Sequence, residues 1–337
     1  MTGLIQKVVY SANGQWPSIF SHLGIDAPSS GKHGPCPVCG GKDRFHFDNK
    51  AGRGTWYCRQ CDDRNFGDGL DLVSKVLNIT LYNAAKKIAE LLNVEPSSLT
   101  AEEENMHSIK LSRQRKMEAK KVRNQRRAAA KRATEIWENS IPASPEQLYL
   151  RFKKIKPHGI RQLVTPVQNG ATCFSPGTLV IPIMDHENNL ISLEFISCGM
   201  KQGLAGGMRK NGRYILGDIE SAKHIWIVEG FATGATIYEL TGEPVVIAFT
   251  ANNLNIVTTS VFCSMREAMI SIAADDDPAG IKYARLAASD GNARIKIPPF
   301  NPEHMLPVSS SGKRELTDWN DYFAIYGERR TLEALYL

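Results

Sequence analysis

Apolar residues fall at helical spacing over residues 70–77 and again over 81–92, which predicts two consecutive helices. An amphipathic segment at 16–23 predicts a short helix ahead of them. Ser144 and Pro145 read as the N-cap and first residue of another helix. Beyond it the apolar residues gather into short runs. Residues 179–184 and 190–196 flank a polar turn at 185–189 and predict a hairpin. From residue 224 the rhythm becomes strand 224–228, helix 230–241, strand 244–249, strand 268–274, helix 278–289 and strand 293–297. Apolar strands alternating with helices predict a parallel sheet covered on both faces.

One stretch breaks the pattern. Residues 107–132 set eleven basic side chains, from Lys110 to Arg132, against the single acid Glu118, with no sustained apolar stripe. Alanine, glutamine and methionine between them favour helix. The segment predicts a solvated helical linker, and its charge would also suit a phosphate backbone. With an exit marked at 96–98, the chain divides into 1–95, a basic linker 96–140, a strand-rich subdomain 141–223 and a parallel-sheet domain 224–337. The expected class is α/β in that last domain and multi-domain α+β overall.

Composition adds modest bounds. A chain of 337 residues with 42% hydrophobic content suits two or three domains with sizeable cores. No run of some 18 apolar residues predicts a membrane helix, and residues 1–10 lack a signal-peptide pattern. The expectation is a cytoplasmic protein without a membrane partner, in a reducing compartment. A net charge of +6 leans mildly towards polyanions.

Four of the seven cysteines form two CxxC knuckles, Cys36–Cys39 and Cys58–Cys61, separated by 18 residues. Each such turn aims two thiolates at one point, and this separation suits a hairpin that brings one knuckle over the other. Together they predict a four-thiolate structural zinc site. His33 stands near enough in sequence to substitute, but four thiolates do not need it. Cys173, Cys198 and Cys263 are left as free thiols.

The second chemical signal is acidic. Ligands of open α/β sheets collect at the carboxyl ends of the strands. There Glu229, followed by Gly230, ends the first predicted strand, and Asp275, Asp276 and Asp277 end the third. Two residues apart in extended chain, Asp275 and Asp277 would point the same way. Converging carboxylates repel unless a hard cation neutralises them, so this edge reads as a site for a hard divalent ion such as Mg²⁺ or, more simply, as an exposed acidic turn.

A strand ending in Glu-Gly and another ending in Asp-x-Asp resemble the Toprim domain of primases, topoisomerases and some nucleases. Residues 228–234, Val-Glu-Gly-Phe-Ala-Thr-Gly, are similar to the EGYATA signature of alpha-type primases of phages and plasmids, with Phe231 for Tyr and Gly234 for Ala. The zinc segment 34–45 with 54–58 resembles the zinc ribbon of the same primases, although the loop 62–66 is slightly longer. Residues 318–321, Asp-Trp-Asn-Asp, resemble their later acidic motif.

The resemblance implies a DNA primase that makes RNA primers from ribonucleoside triphosphates on a single-stranded DNA template, for replication of a phage, plasmid or integrated mobile element. It implies Mg²⁺ or Mn²⁺ on Glu229, Asp275 and Asp277, with Asp318 and Asp321 as later acidic residues. Lys201, Arg209, Lys210 and Arg213 would meet triphosphate or template phosphates. Arg44, with Lys42 and Arg53, would meet phosphates from the ribbon, and Phe45 or Phe47 would stack on template bases. Trp56 is expected to belong to the ribbon core. Residues 311–314, Ser-Gly-Lys-Arg, do not form a GxxxxGK[S/T] loop, so a separate helicase or replication initiator is the expected partner. The alternatives are a single-strand-binding or helicase-recruiting protein with a Toprim fold, and a Toprim phosphodiesterase such as a nuclease or topoisomerase.

Overall fold

The computed structural model describes residues 2–61, 65–94, 101–197, 200–291, 293–301, 303 and 316–337. Residues 62–64, the expected exit at 96–98, Cys198 and the segment 311–314 lie outside the described residues. The chain forms two compact units, Met1–Val122 and Arg123–Leu337.

The first unit opens with helices α1 (Thr2–Ser11) and α2 (Trp16–His22). Strands β1 (Lys32–Cys36), β2 (Gly40–Phe47), β3 (Trp56–Cys58) and β4 (Phe66–Gly67) then make an antiparallel sheet in that order. Helices α3 (Gly69–Val76) and α4 (Leu81–Leu91) follow, as the apolar spacing predicted. Asp68 stops the chain between strand and helix. Its carboxylate accepts from the Leu70 and Asp71 amides at 3.1 Å, and the Asp71 side chain accepts from the Asp68 amide. The two-residue period of β2 and β3 sends Phe45, Phe47 and Trp56 inwards, against Trp16 and Phe20 of α2 and Ile88 of α4.

Helix α5 (Ala101–Glu138) is longer than the basic stretch 107–132. Residues 119–128 are exposed, as a charged linker requires. Its final turns are not linker. Ala129, Ala133 and Ile136 recur at helical spacing and are buried with Phe174, Val180, Leu193 and Phe195 of the second unit.

The second unit continues with β5 (Ile141–Pro142), α6 (Leu148–Lys153), β6 (Arg161–Gln162), the small hairpin β7 (Val167–Asn169) and β8 (Thr172–Phe174), then β9 (Leu179–Met184), β10 (Leu190–Ser197) and β11 (Met200–Gly203). Apart from β7 and β8, these strands form an antiparallel sheet in the order β11-β10-β9-β6-β5. Next come β12 (Tyr214–Leu216), β13 (His224–Val228), α7 (Phe231–Thr241), β14 (Val245–Ile247), α8 (Leu254–Ser264), β15 (Met269–Ala273), α9 (Pro278–Gly291), β16 (Arg294–Lys296) and α10 (Trp319–Tyr336). Their sheet runs β12-β14-β13-β15-β16, all parallel except the edge strand β12. A boundary at 223 would leave β12 with the preceding subdomain, whereas its hydrogen bonds place it in this sheet.

Both faces of the parallel sheet are covered, as predicted. Ile225, Ile227 and Ile272 face α8 and α9. Trp226 and Val228 face α7 and α10, in a core that also takes Leu179 and Ile181 from β9 and Leu150 from α6. The two sheets of this unit therefore share one interior. Ser144 does not cap a helix. Its amide donates to Gln162 Oε1 at 3.1 Å and the Ala143 amide to the Ile160 carbonyl at 3.0 Å, so 143–144 stays extended. Gln147 caps α6 instead, accepting from Tyr149 N at 2.6 Å and Leu150 N at 3.2 Å.

Asn320 locks the start of α10 into this interior. It is 2% exposed, and its amide donates to the Lys153 carbonyl at 2.7 Å and to Thr236 Oγ1 at 2.8 Å. Asn320→Ala would strand both acceptors, so urea unfolding should report a loss of about 1–3 kcal/mol. A change under about 0.5 kcal/mol would mean that these bonds do not hold α10 in place.

Candidate functional site

Two chemical centres emerge, one in each unit. In the first, Cys36, Cys39, Cys58 and Cys61 bring all four Sγ atoms within 4.8 Å of one another, the only such group of ligand atoms found among the described residues. The β2–β3 hairpin carries the second knuckle back to the first, as the spacing predicted. Sulfur separations of 3.6 Å for Cys39–Cys58 and Cys39–Cys61, and 3.8 Å for Cys36–Cys61, fit a tetrahedral ion. Zinc–sulfur bonds of about 2.3 Å place tetrahedral sulfurs about 3.8 Å apart. The Val38 amide donates to Cys36 Sγ and the Gln60 amide to Cys58 Sγ, both at 3.4 Å. Burial pushes the Cys36 and Cys61 thiols up, so a cation is needed to hold all four as thiolates. The donor set fits zinc, and this is a structural zinc site.

The same ribbon corrects the expected template face. Phe45 is 0% exposed and stacks on Trp56 with ring centres 5.5 Å apart; Phe47 is equally buried. Neither can receive a base. The outward positions carry a different row, because side chains alternate along each strand. His33 pairs with His46, His46 with Tyr57, and Tyr57 with Phe66, one residue from each strand. Ring centres lie 4.5 Å apart for His33–His46 and 5.7 Å for His46–Tyr57. Tyr57 is 38% and Phe66 64% exposed. The Arg59 side chain hydrogen-bonds the Tyr57 side chain at this face, and Lys42 is exposed. Arg44 is half-buried and lies over Gly41, whereas Arg53 sits 3.9 Å from the Asp68 carboxylate.

In the second unit, Glu229 follows β13 and Asp275 follows the adjacent parallel strand β15, so both stand at one carboxyl edge. Asp277 arrives there by a different route from the one its spacing suggested. The chain bends at Asp276–Asp277, and Asp277 starts α9, accepting from the Gly280 amide at 2.6 Å. Gly280 permits the tight approach, since a Cβ there would sit 2.6 Å from the Asp275 carbonyl oxygen. The Asp276 amide donates to the Thr317 carbonyl at 2.8 Å, which draws the start of α10 to the same edge. Asp318 is the N-cap of α10, accepting from the Asp321 amide at 2.8 Å.

The electrostatics record this convergence. Burial pushes the Asp275 carboxyl up, and the charges of Asp318, Glu229 and Asp277 add to it, carrying it to about 8 against the opposing Lys201. Glu229 is raised by burial and then by Asp277, and Asp318 by burial and then by Asp321. Asp275 Oδ1 is buried without a hydrogen-bond partner. Crowding and an orphaned oxygen are what a hard divalent cation would relieve, although no three of these carboxylates bring their oxygens within 4.8 Å of one another.

Lys201, on β11, is the predicted basic residue whose charge reaches this group. It offsets Glu229, Asp275 and Asp318, and its Nζ would lie 3.5 Å from a Cβ on Gly230. Arg209 instead pairs with buried Glu194 at 2.9 Å. Arg213 directs Nη2 to the His186 carbonyl at 3.4 Å, while Lys210 is exposed. Asp321 is held by Lys153 at 2.9 Å, with Asp318 at 3.9 Å from the same ammonium.

Lys153 went unread in the sequence because its partners stand 165 and 168 residues away. Asn253 was missed too. It is 2% exposed and its amide binds the carbonyls of Arg209 at 3.2 Å, Gly212 at 2.9 Å and Ala248 at 2.8 Å, clamping the basic loop. A polar residue opening an unpredicted helix offers no signal of that kind.

Comparison with known proteins finds a domain match in each unit. Residues 31–70 match the zinc-binding domain of primase-helicase, and residues 224–328 match the Toprim domain. The chain joins a primase-type zinc ribbon to a Toprim domain. The zinc ribbon holds the four cysteines, and the Toprim domain holds Glu229, Asp275, Asp277 and Asp318. The DNA primase TraC of Escherichia coli is 27% identical over 213 residues, which are 55% of this chain but 19% of that protein. Among solved structures, the primase fragment of the bacteriophage T7 primase-helicase protein gives a TM-score of 0.41 at 14% identity, over 90% of this chain and 98% of its own. The zinc-binding and RNA polymerase domains of the Aquifex aeolicus primase give 0.40 at 15% identity, over 100% and 85%. Within the signature, Gly234 replaces alanine where a Cβ would sit 2.8 Å from Ile247 Cγ1, and Phe231 is 1% exposed.

The raised Asp275 carboxyl has a sign that experiment can check. Without metal, its stabilising contribution is full below the unfolded value of 3.8 and is lost as pH rises through about 8. Asp275→Asn removes that penalty. The metal-free variant should therefore melt above the metal-free native chain at about pH 8.5, by at least about 1 kcal/mol, and alike at about pH 4. Equal melting at both pH values would show that the carboxyl is not crowded.

Proposed function

We propose that this chain is a DNA primase, joining ribonucleotides into a short RNA primer on single-stranded DNA. The observation that carries the proposal is the convergence of Glu229, Asp275, Asp277 and Asp318 on one edge of a Toprim domain, in a chain that also bears a primase-type zinc ribbon. Glu229, Asp275 and Asp277 would hold Mg²⁺ or Mn²⁺, which supplies charge stabilisation on the α-phosphate and leaving pyrophosphate and activates the attacking 3′-hydroxyl.

The protein's own groups frame that reaction. Lys201 brings positive charge beside Gly230, at the N-terminus of α7, where phosphate oxygens find both an ammonium and helix amides. Asp318 adds a carboxylate whose position Lys153 fixes, and Asp321 serves that clamp instead of the cation. The template would lie on the ribbon row Tyr57 and Phe66, with bases on the rings and Arg59 near the backbone. A separate helicase or initiator would open the duplex.

Primer synthesis on single-stranded DNA, with labelled ribonucleotides and Mg²⁺ or Mn²⁺, tests the reading. The native chain should give short labelled RNA, and Asp275→Asn/Asp277→Asn should cut it more than about 100-fold while sparing DNA binding. No product from the native chain on any template, with strand binding retained, would instead make it a binding protein. Tyr57→Ala/Phe66→Ala should weaken binding of a single-stranded oligonucleotide by about 1–3 kcal/mol per base unstacked, measured by anisotropy. Unchanged affinity would remove the ribbon face from template recognition.

A further inference from the structure

Helix α5 carries a strongly charged surface that the primase reading leaves unused. Within the second unit its last turns bury Ala129, Ala133 and Ile136, which fixes the roll of the helix about its axis. With 3.6 residues per turn, the face opposite that buried one carries Arg123, Arg127 and Lys131, and Arg126 stands at its flank. All four are exposed. Lys131 lies 3.9 Å from Glu135, but Arg123, Arg126 and Arg127 have no carboxylate partner among the described residues.

Such a row is costly to keep. Like charges at i,i+4 destabilise a helix by about 0.2–0.5 kcal/mol per pair, and both Arg123–Arg127 and Arg127–Lys131 are pairs of that kind. A helix that only spans a distance lowers this cost by alternating signs, as Lys131–Glu135 does at the end of the row. A polyanion laid along the row removes the repulsion. In the sequence the same spacing repeats upstream at Lys120 and Lys116.

The geometry also selects the polyanion. The apolar face of these turns is already buried, so they cannot lie in a bilayer. No aromatic residue occurs between 110 and 132, so no base stacks there. What remains is a straight row of cations about 6 Å apart along the axis, ending in guanidinium forks that match phosphate oxygens. A single-stranded backbone can run straight along such a row, whereas the strands of a duplex wind away from it. We propose that the exposed face of α5 around Arg123, Arg126 and Arg127 grips the phosphate backbone of single-stranded DNA without reading its bases. This goes beyond the primase reading, because it concerns binding alone and needs no synthesis.

Fluorescence anisotropy of a labelled oligothymidylate with the full zinc-loaded chain, over a range of salt, is the test. Arg123→Gln/Arg126→Gln/Arg127→Gln keeps good helix formers on an exposed face, so thermal melting should hold or rise. Its plot of log affinity against log salt should be shallower by about 2, at about 0.7 per phosphate contact, or about 10–100-fold weaker binding near about 0.1 M salt. An abasic strand of the same length should lose the same factor. Lysine at all three positions should restore most of the affinity, since charge and not packing holds the strand. Lys223→Gln/Arg266→Gln/Arg285→Gln removes as many exposed charges elsewhere on the second unit and should leave the slope within about 0.5. An unchanged slope in the first variant would overturn the site and return the row to a solvated spacer. Equal losses in both variants would replace it with a diffuse effect of net charge. A loss seen only on duplex DNA, or only when bases are present, would overturn the single-strand backbone as the ligand.

Discussion

Mutual repulsion among half-buried carboxylates is the constraint around which the second unit is arranged. Glu229, Asp275, Asp277 and Asp318 would separate if the chain were free to move them. Three devices keep them together. Parallel pairing of β13 and β15 fixes Glu229 and Asp275 side by side. Backbone capping ties down the other two, through the Asp277 cap of α9 and the Asp318 cap of α10. Positive charge does the rest, with Lys201 set over Gly230 and Lys153 gripping Asp318 and Asp321. The last of these depends on the shared interior, because α6 and β11, which carry the lysines, belong to the antiparallel half of the unit.

That interior explains why residues 141–223 and 224–337 belong to one compact unit. Leu150, Leu179 and Ile181 bury themselves against Trp226, Val228 and Trp319. Hydrophobic burial here does chemical work, since it sets the distance between a lysine on one sheet's helix and aspartates on the other's. Asn320 shows the same economy on a smaller scale. One buried amide ties α10 to the end of α6 and to α7, and so aligns the acid that begins α10.

The ribbon solves the opposite problem, that of folding with little apolar material. Zinc and a few aromatic rings replace a large core. Every aromatic on β2 and β3 must then serve either the interior or the surface, and strand alternation decides which. Phe45, Phe47 and Trp56 fall inwards, while His46 and Tyr57 fall outwards with His33 and Phe66. A reading by residue type alone chooses Phe45 for a stacking face; the register gives that face to its neighbours.

Local spacing was enough to locate the four cysteines, the strand ends bearing Glu229 and Asp275, and the alternation of strands and helices beyond residue 224. Each of those signals is carried by residues close in sequence, where geometry follows from the period of the backbone. Helix α8 was not legible, because its sequence LNIVTTSVFCS is rich in β-branched residues and only its buried face, Leu254, Val257, Thr258 and Val261, has helical spacing. Ser144 was misread because its hydroxyl accepts from the Glu146 amide in a turn, and the helix begins only at Leu148, where Gln147 is the cap. The acidic edge was only half legible, and the physical reason is distance along the chain. Residues adjacent along the chain were enough to specify which carboxylates and thiolates exist and the local turns that carry them. Tertiary packing alone decided that Asp318 would join Asp275 and that Lys153 and Lys201 would balance them.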